Sequence, residues 1–348
     1  MATINQRRKL IVALSSILIL AFALILVQDI RKPDPIPHYL ANERSIETTV
    51  VIPEGASGDE IARVLYEKGV VKSPRSFFAA ATANKLSRNI QPGTYRIETK
   101  IPGSEAVSQL LTRERRMLVL LVREGERAYE LQDDLRALKF SESEINRIFG
   151  KKVLVDGFGT RDFEGFLFPA TYNLTPDESV ESVRDKLLNK FRKVIQDLDF
   201  IEQARLRDLS PYEALIIGSI VQAEGYDEED FGKVATVIFN RLKIGMPLQM
   251  DSTVLYALKE RRLAVSTKDV SIASAYNTYN RKGLPPTPIG NPGVKALSAT
   301  LNPEPGDWLY FVTVAPTETK FTKSYDDFLR YKREFKRNLE AGLFDGKS

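Results

Sequence analysis

The chain has 348 residues, 43% of them hydrophobic and 28% charged, enough for two or three ordinary globular domains. Lys and Arg outnumber Asp and Glu only 50 to 46 and are spread along the chain, which argues against nucleic-acid binding and suits an anionic wall or membrane surface only weakly. There is no cysteine and a single histidine, His38, so disulfides, thiolate chemistry, a Ser-His-Asp triad and Cys- or His-based metal sites are excluded, and catalysis must rest on carboxylates, Lys, Tyr, Ser/Thr or backbone dipoles.

Residues 10–27 carry no charge and come close to the roughly 20 apolar residues that cross a bilayer. Arg7, Arg8 and Lys9 precede them without an acidic neighbour, whereas Asp29 and Asp34 mix with Arg31 and Lys32 behind. The positive-inside rule then makes 1–9 a cytoplasmic tail, 10–27 a single transmembrane helix, and the rest an exported body. Ala21-Phe22-Ala23 resembles a signal cleavage site, but four apolar residues follow it, so an uncleaved anchor is the expectation. Residues 28–46 read as a linker, Pro-rich and charged between Lys32 and Arg44.

Residues 48–52 predict a strand closed by the turn Pro53-Glu54-Gly55. Ser57-Gly58-Asp59-Glu60 opens an amphipathic helix with Ile61, Val64 and Leu65 on one face, stopped near Gly69. The pattern recurs at a constant offset of 70 residues: Leu121-Val122-Arg123-Glu124-Gly125, then Glu130, Leu131 and Leu135. Two copies are too few for a solenoid, so they read as two strand-turn-helix units of a small α+β region. Gln91-Pro92-Gly93-Thr94-Tyr95 adds a turn and strand between them. Small βαβ modules of this kind bind extended polymers about as often as they act as spacers. From about Asp162 the character changes: residues 164–172 are a dense aromatic, strand-like segment, and residues 180–198 an amphipathic helix.

Ser210-Pro211-Tyr212-Glu213 is a capping box, opening a helix that is apolar nearly all round and runs into Gln222-Ala223-Glu224-Gly225. Gly225 can supply a left-handed C′ residue. A glutamate at a helix C-terminus has its pKa raised by the dipole and further by burial, which makes Glu224 a candidate general acid; a solvated helix-end glutamate has the same signature. A second helix follows, with Phe231, Val234, Val237, Ile238 and Leu242 as its apolar face, and ends near Gly245. It carries Asn240 and Arg241; Gln249, Asp251 and Tyr256 come next, then Tyr276, Asn277 and Tyr279. Amides, tyrosines and a guanidinium are the usual tools for gripping sugar hydroxyls and N-acetyl groups, so these eight are candidate substrate-binding residues. The Pro/Gly-punctuated loop 283–293 can wall such a cleft at low entropic cost.

At these residues the chain resembles the MltG (YceG-like) family of endolytic murein transglycosylases. The shared motifs are Ile52-Pro53-Glu54-Gly55, Pro92-Gly93-Thr94-Tyr95, Glu164-Gly165 with Phe168-Pro169, Ser219-Ile220-Val221, Asn240-Arg241-Leu242, Leu248-Gln249 with Asp251, Tyr276-Asn277-Thr278-Tyr279 and Gly283-Leu284-Pro285-Pro286. The family's catalytic glutamate, second of two in a Val-Glu-Lys-Glu-Thr stretch, falls on Glu224. The sequence departs from the pattern at Gln222, Gly225, Ala170 and Lys320, where the family has Glu, Thr, Asp and His.

The resemblance implies an α+β fold, with a LysM-like α+β region over 47–160 and a mixed α/β catalytic domain with a cleft over 161–340. It implies lytic, non-hydrolytic cleavage of peptidoglycan strands between N-acetylmuramic acid and N-acetylglucosamine, at the periplasmic side of the inner membrane, in partnership with peptidoglycan synthases. No cofactor, metal or nucleic acid is expected. A hydrolytic muramidase with Glu224 as acid and Asp251 as base, a non-enzymatic wall-binding scaffold, and a receptor for another glycan are the competing readings.

Overall fold

A computed structural model describes Leu20, residues 36–40 and residues 46–344. The run 10–27, Leu20 excepted, lies outside the described residues; among those described, no helix is long and apolar enough to cross a membrane. The chain divides into two compact units, Met1–Arg116 and Met117–Ser348.

In the first unit, β1 (Glu47–Ile52) turns Val50 and Ile52 inward and pairs antiparallel with β2 (Gly93–Glu98). Between them lie α1 (Gly58–Glu67) and α2 (Pro74–Ala83); α3 (Gly103–Leu111) follows. Ile61, Leu65, Phe77, Tyr95 and Ile97 close the core with Val50 and Ile52 of β1. The order is therefore β-α-α-β with antiparallel neighbours, not the parallel βαβ crossover that the sequence allowed.

The second unit holds β3 (Leu118–Val122), α4 (Ala128–Ala137), α5 (Glu142–Phe149), β4 (Val153–Val155), β5 (Gly159–Arg161), β6 (Ala170–Leu174), α6 (Val180–Asp197) and α7 (Phe200–Arg205). It continues with α8 (Pro211–Glu224), α9 (Phe231–Lys243), α10 (Asp251–Leu258), α11 (Val294–Leu301), β7 (Tyr310–Ala315), β8 (Glu318–Thr322) and α12 (Tyr325–Glu340). Every ladder among the described residues is two-stranded and antiparallel, which makes the class α+β. β3 pairs with β6, Leu118 opposite Leu174 and Val122 opposite Ala170. That ladder ties residues 118–122 to residues 170–174 within the second unit.

The aromatic segment 164–172 is a strand only from Ala170 onward. Gly165 turns the backbone at φ +90, where an added Cβ would press on Pro288. The turn sends Phe163, Phe166 and Phe168 inward together instead of alternating them. Phe166 packs edge-on against Phe158 and Phe191, with centroids 5.5 and 5.0 Å apart.

The helix α8 starts as its capping box requires: Glu213 N–H donates to Ser210 Oγ at 3.2 Å, and Ser210 N–H to Glu213 Oε2 at 2.9 Å. Its residues from Ala214 to Val221 are all buried. Such a helix has no solvent face, and each buried Leu, Ile or Val contributes about 1.5–3 kcal/mol. Glu224, its last residue, therefore leaves the core at a defined place.

Candidate active site

Glu224 is half-buried, and its pKa is pushed up to about 7, first by burial and then by the neighbouring carboxylate of Asp251. Ser252, through its backbone N–H and hydroxyl, and the Arg241 guanidinium act in the opposite direction. Ser252 N–H, in the first turn of α10, donates to Glu224 Oε1 at 3.0 Å. The negative end of α8 thus faces the positive end of α10. The dipole argument made from sequence saw only the first of these, and burial decides the outcome.

Gly225 does not adopt the left-handed conformation expected of it: its φ is −73 and ψ 118. Its lack of a side chain serves space instead, because a Cβ would collide with the Phe231 ring at the start of α9. The threonine found here in the family pattern would need that ring to move.

Asp251, the first residue of α10, accepts hydrogen bonds from Tyr279 Oη and, at 3.4 Å, from Val265 N–H. It orients a tyrosine rather than Arg241. The Arg241 side chain is buried, donates from Nε to the Leu309 carbonyl at 2.6 Å and from Nη1 to the Leu248 carbonyl, and lies 5.4 Å from the Tyr310 ring centroid. It fixes the segment entering α10 while lending a positive charge to Glu224. Gln249 is exposed, with a left-handed φ of +49, and its N–H donates to the Thr278 carbonyl at 3.0 Å. Left-handed backbone in a residue with a side chain is uncommon outside turns and functional sites.

Other candidates are placed differently. Tyr256 Oη donates to Glu164 Oε2 at 2.9 Å, its ring lies 4.9 Å from that of Tyr276, and Tyr276 Oη is 2.8 Å from Thr287 Oγ1. Asn240 donates to the carbonyls of Gly306 and Trp308 at 3.2 and 2.9 Å. Asn277 is fully buried and donates to Val270 and Ile272 carbonyls at 3.0 and 2.9 Å. Glu224, Asp251, Tyr279 and Arg241 thus form one electrostatic group, Tyr256 and Tyr276 belong to a second around Glu164, and both asparagines hold backbone.

Sequence reasoning did not name Glu164, Thr278, Asn291 or Ser252 as site residues, although Glu164 and Thr278 stand in shared motifs. Glu164 is 7% exposed; burial pushes its pKa up to about 7, while Tyr256, the Ala128 N–H and Arg127 oppose the rise. A lone acid inside an aromatic run was the available signal, since an exposed acid would not sit there. Thr278 Oγ1 accepts Met250 N–H at 3.0 Å and lies 2.9 Å from Thr253 Oγ1, aligning the entry to α10. Asn291 is fully buried, accepting Leu167 N–H at 2.9 Å and donating to the Glu126 carbonyl at 2.7 Å.

Among the described residues no group of three or more His, Cys, Asp or Glu side chains is arranged to hold a metal ion. The YceG-like family pattern matches residues 50–334. The endolytic murein transglycosylase of Bacillus subtilis (strain 168) is 30% identical over 321 residues, 84% of this chain and 86% of that protein. The endolytic murein transglycosylase of Streptococcus pneumoniae (serotype 2, strain D39) is 28% identical over 298 residues, 76% of this chain and 54% of that protein. The crystal structure of a yceG-like protein from Listeria monocytogenes superposes with a TM-score of 0.57 at 26% identity, covering 82% of this chain and 98% of that one. The chain belongs to the YceG-like family.

Proposed function

We propose that the chain is an endolytic peptidoglycan lytic transglycosylase, cutting between N-acetylmuramic acid and N-acetylglucosamine in nascent strands and so ending their polymerisation. The observation that carries the reading is Glu224, a half-buried carboxyl with a pKa of about 7 at the end of a buried helix. The relatives named endolytic murein transglycosylase support it. With Oε1 held by Ser252 N–H, Oε2 is the position for the proton. Protonated Glu224 donates to the glycosidic oxygen as the bond to the muramic C1 breaks. The carboxylate then takes the proton of the muramic 6-hydroxyl as O6 bonds to C1, closing a 1,6-anhydro ring. No water is consumed, and Glu224 ends protonated, ready for another cycle.

The hydrolytic alternative would need Asp251 to activate water. That carboxylate already accepts from Tyr279 and Val265, which favours an electrostatic role.

The reading places the chain in the inner membrane by residues 10–27, with the body on the periplasmic side, supported by Arg7, Arg8 and Lys9. The β-α-α-β order of the first unit supports a LysM-like, glycan-binding part. Peptidoglycan synthases are the partners that an enzyme acting on nascent strands would meet.

Full-length protein is incubated with uncross-linked strands and the products are read by mass spectrometry. Internal fragments ending in 1,6-anhydro-muramic acid are expected, and Glu224→Gln lowers their formation by about 10³-fold. Reducing ends would make the enzyme a hydrolase; bound but uncut strands would make it a scaffold.

A further inference from the structure

The turn after β3 opens a cleft of about 320 Å³ lined by Arg123, Glu124, Glu126, Glu130, Asp134 and Arg261, within the size range of small-ligand sites. Four carboxylates meet two guanidinium groups. Arg261 is spent on Glu130, donating from Nε at 2.8 Å and from Nη2 at 2.7 Å, and on the Gly125 carbonyl at 2.8 Å. Arg123 Nη1 is shared, reaching Asp134 at 3.4 Å and Glu126 Oε2 at 3.7 Å. The lining therefore carries two more carboxylates than guanidinium groups, and two of the acids bear on what could bind.

One is Glu126, whose side chain is 5% exposed. Its Oε2 accepts the Arg123 N–H at 2.7 Å, but its Oε1 is buried without a partner. A buried carboxyl oxygen lacking a donor is costly, and a ligand that brings one recovers that cost. The other is Glu124, which hydrogen-bonds the Gln222 side chain. Gln222 Oε1 in turn accepts Gly293 N–H at 2.9 Å. This accounts for glutamine at 222: a glutamate could not donate to Glu124 and would set a second carboxylate against it.

The ligand chemistry follows. Among the described residues no three acids converge on a metal position, and the interleaved guanidinium groups repel a bare dication. An alkylammonium brings one charge and three N–H donors on a thin stem, which suits a carboxylate with one oxygen held and the other without a donor. Gln222, the partner of Glu124, lies two residues before Glu224, so the cleft lies near the same end of α8 as Glu224.

We propose that this cleft binds the primary ammonium of the stem peptide carried by the muramic acid whose bond is cut. The proposal rests on the function proposed above and names a second recognition site for that substrate. It makes the enzyme read the peptide as well as the sugars.

The test gives full-length protein in detergent three substrates: peptide-bearing strands, the same strands with stem amines acetylated, and strands stripped of stems. The expected kcat/KM on free-amine strands exceeds that on acetylated ones by about tenfold, the scale of one charge-assisted hydrogen bond. Glu126→Gln, which keeps shape and removes charge, brings that ratio towards one. Equal kcat/KM on the first two substrates, with 1,6-anhydro ends from both, overturns the proposal and leaves the lytic activity standing. No anhydro ends from any substrate overturns the activity itself. If Glu126→Gln does not fold, the wild-type ratio decides. A preference that persists on stem-free strands and follows de-N-acetylation of the sugars overturns the stem assignment.

Discussion

The two strand-turn-helix units share a pattern at an offset of 70 residues yet close their helices differently. At α1 the cap is local: Ser57 N–H donates to Glu60 Oε2 at 2.7 Å and Glu60 N–H returns to Ser57 Oγ at 3.3 Å. At α4 the glutamate half survives, with Arg127 N–H donating to Glu130 Oε2 at 2.8 Å, but the hydroxyl is gone. Glu164 replaces it from elsewhere in the chain, its two oxygens accepting the Ala128 N–H at 3.1 and 3.3 Å. The residue freed from capping, Arg127, reaches instead for the carbonyls of Leu255 and Glu260 at 3.4 and 3.0 Å, in the last turn of α10 and just beyond it. A cation there suits the helix dipole. The first unit spends its turn on itself, while the second uses it to hold the helix that delivers Ser252 and Asp251 to Glu224.

If that contrast is right, substitutions at the second turn reach the chemistry and those at the first do not. The largest effect belongs to Arg127→Ala, which strips two carbonyls and loosens α10: a loss of about 3 kcal/mol in urea unfolding and about tenfold in kcat. Glu164→Ala leaves the Ala128 N–H and Tyr256 hydroxyl without their acceptor, costing about 2 kcal/mol at pH 6 with a smaller fall in kcat. Ser57→Ala removes an ordinary N-cap for about 1 kcal/mol and leaves kcat unchanged. A fall in kcat for Ser57→Ala matching that of Arg127→Ala would erase the distinction.

The pH dependence sharpens it further. Glu164 and Glu224, with pKa values raised to about 7, and Glu126, raised to about 6, hold protons more tightly in the folded than in the unfolded chain, where carboxylates titrate near 4.5. Their share of stability is fully present below the unfolded value and is lost as pH rises through 6 and 7. Melting temperatures therefore fall over that window, and Glu164→Gln flattens the fall. For catalysis the acid form of Glu224 is required, so kcat declines as pH rises through about 7. Asp251→Asn removes a charge that raises Glu224, and the decline moves to lower pH.

Elements whose signals lie within one or two turns of chain were legible. The strand 48–52, the helix after Ser57 and the capping box at Ser210 stand at their expected places, because their caps and apolar faces are written in neighbouring residues. The placing of Glu224 at a helix end rests on the same kind of evidence. Gly225 was misread because glycine serves two purposes, positive φ and empty space, and only the position of Phe231 distinguishes them. The aromatic segment was misread as a strand because a buried turn and a buried strand are equally apolar. Asn240, Asn277 and Tyr256 were chosen by residue type, and type does not say whether a side chain meets sugar, backbone or, as Tyr256 does, a buried carboxyl.

By itself, then, the sequence determined the helices and strands that local hydrogen bonds and side-chain periodicity dictate, the excluded chemistries, and the position of Glu224 at the end of its helix. The tertiary structure alone decided what surrounds that acid. Ser252 meets Glu224 across 28 residues, Glu164 meets Tyr256 across 92, and Arg127 meets Leu255 across 128. Contacts over such separations depend on how whole helices pack, and no short stretch of residues carries that information.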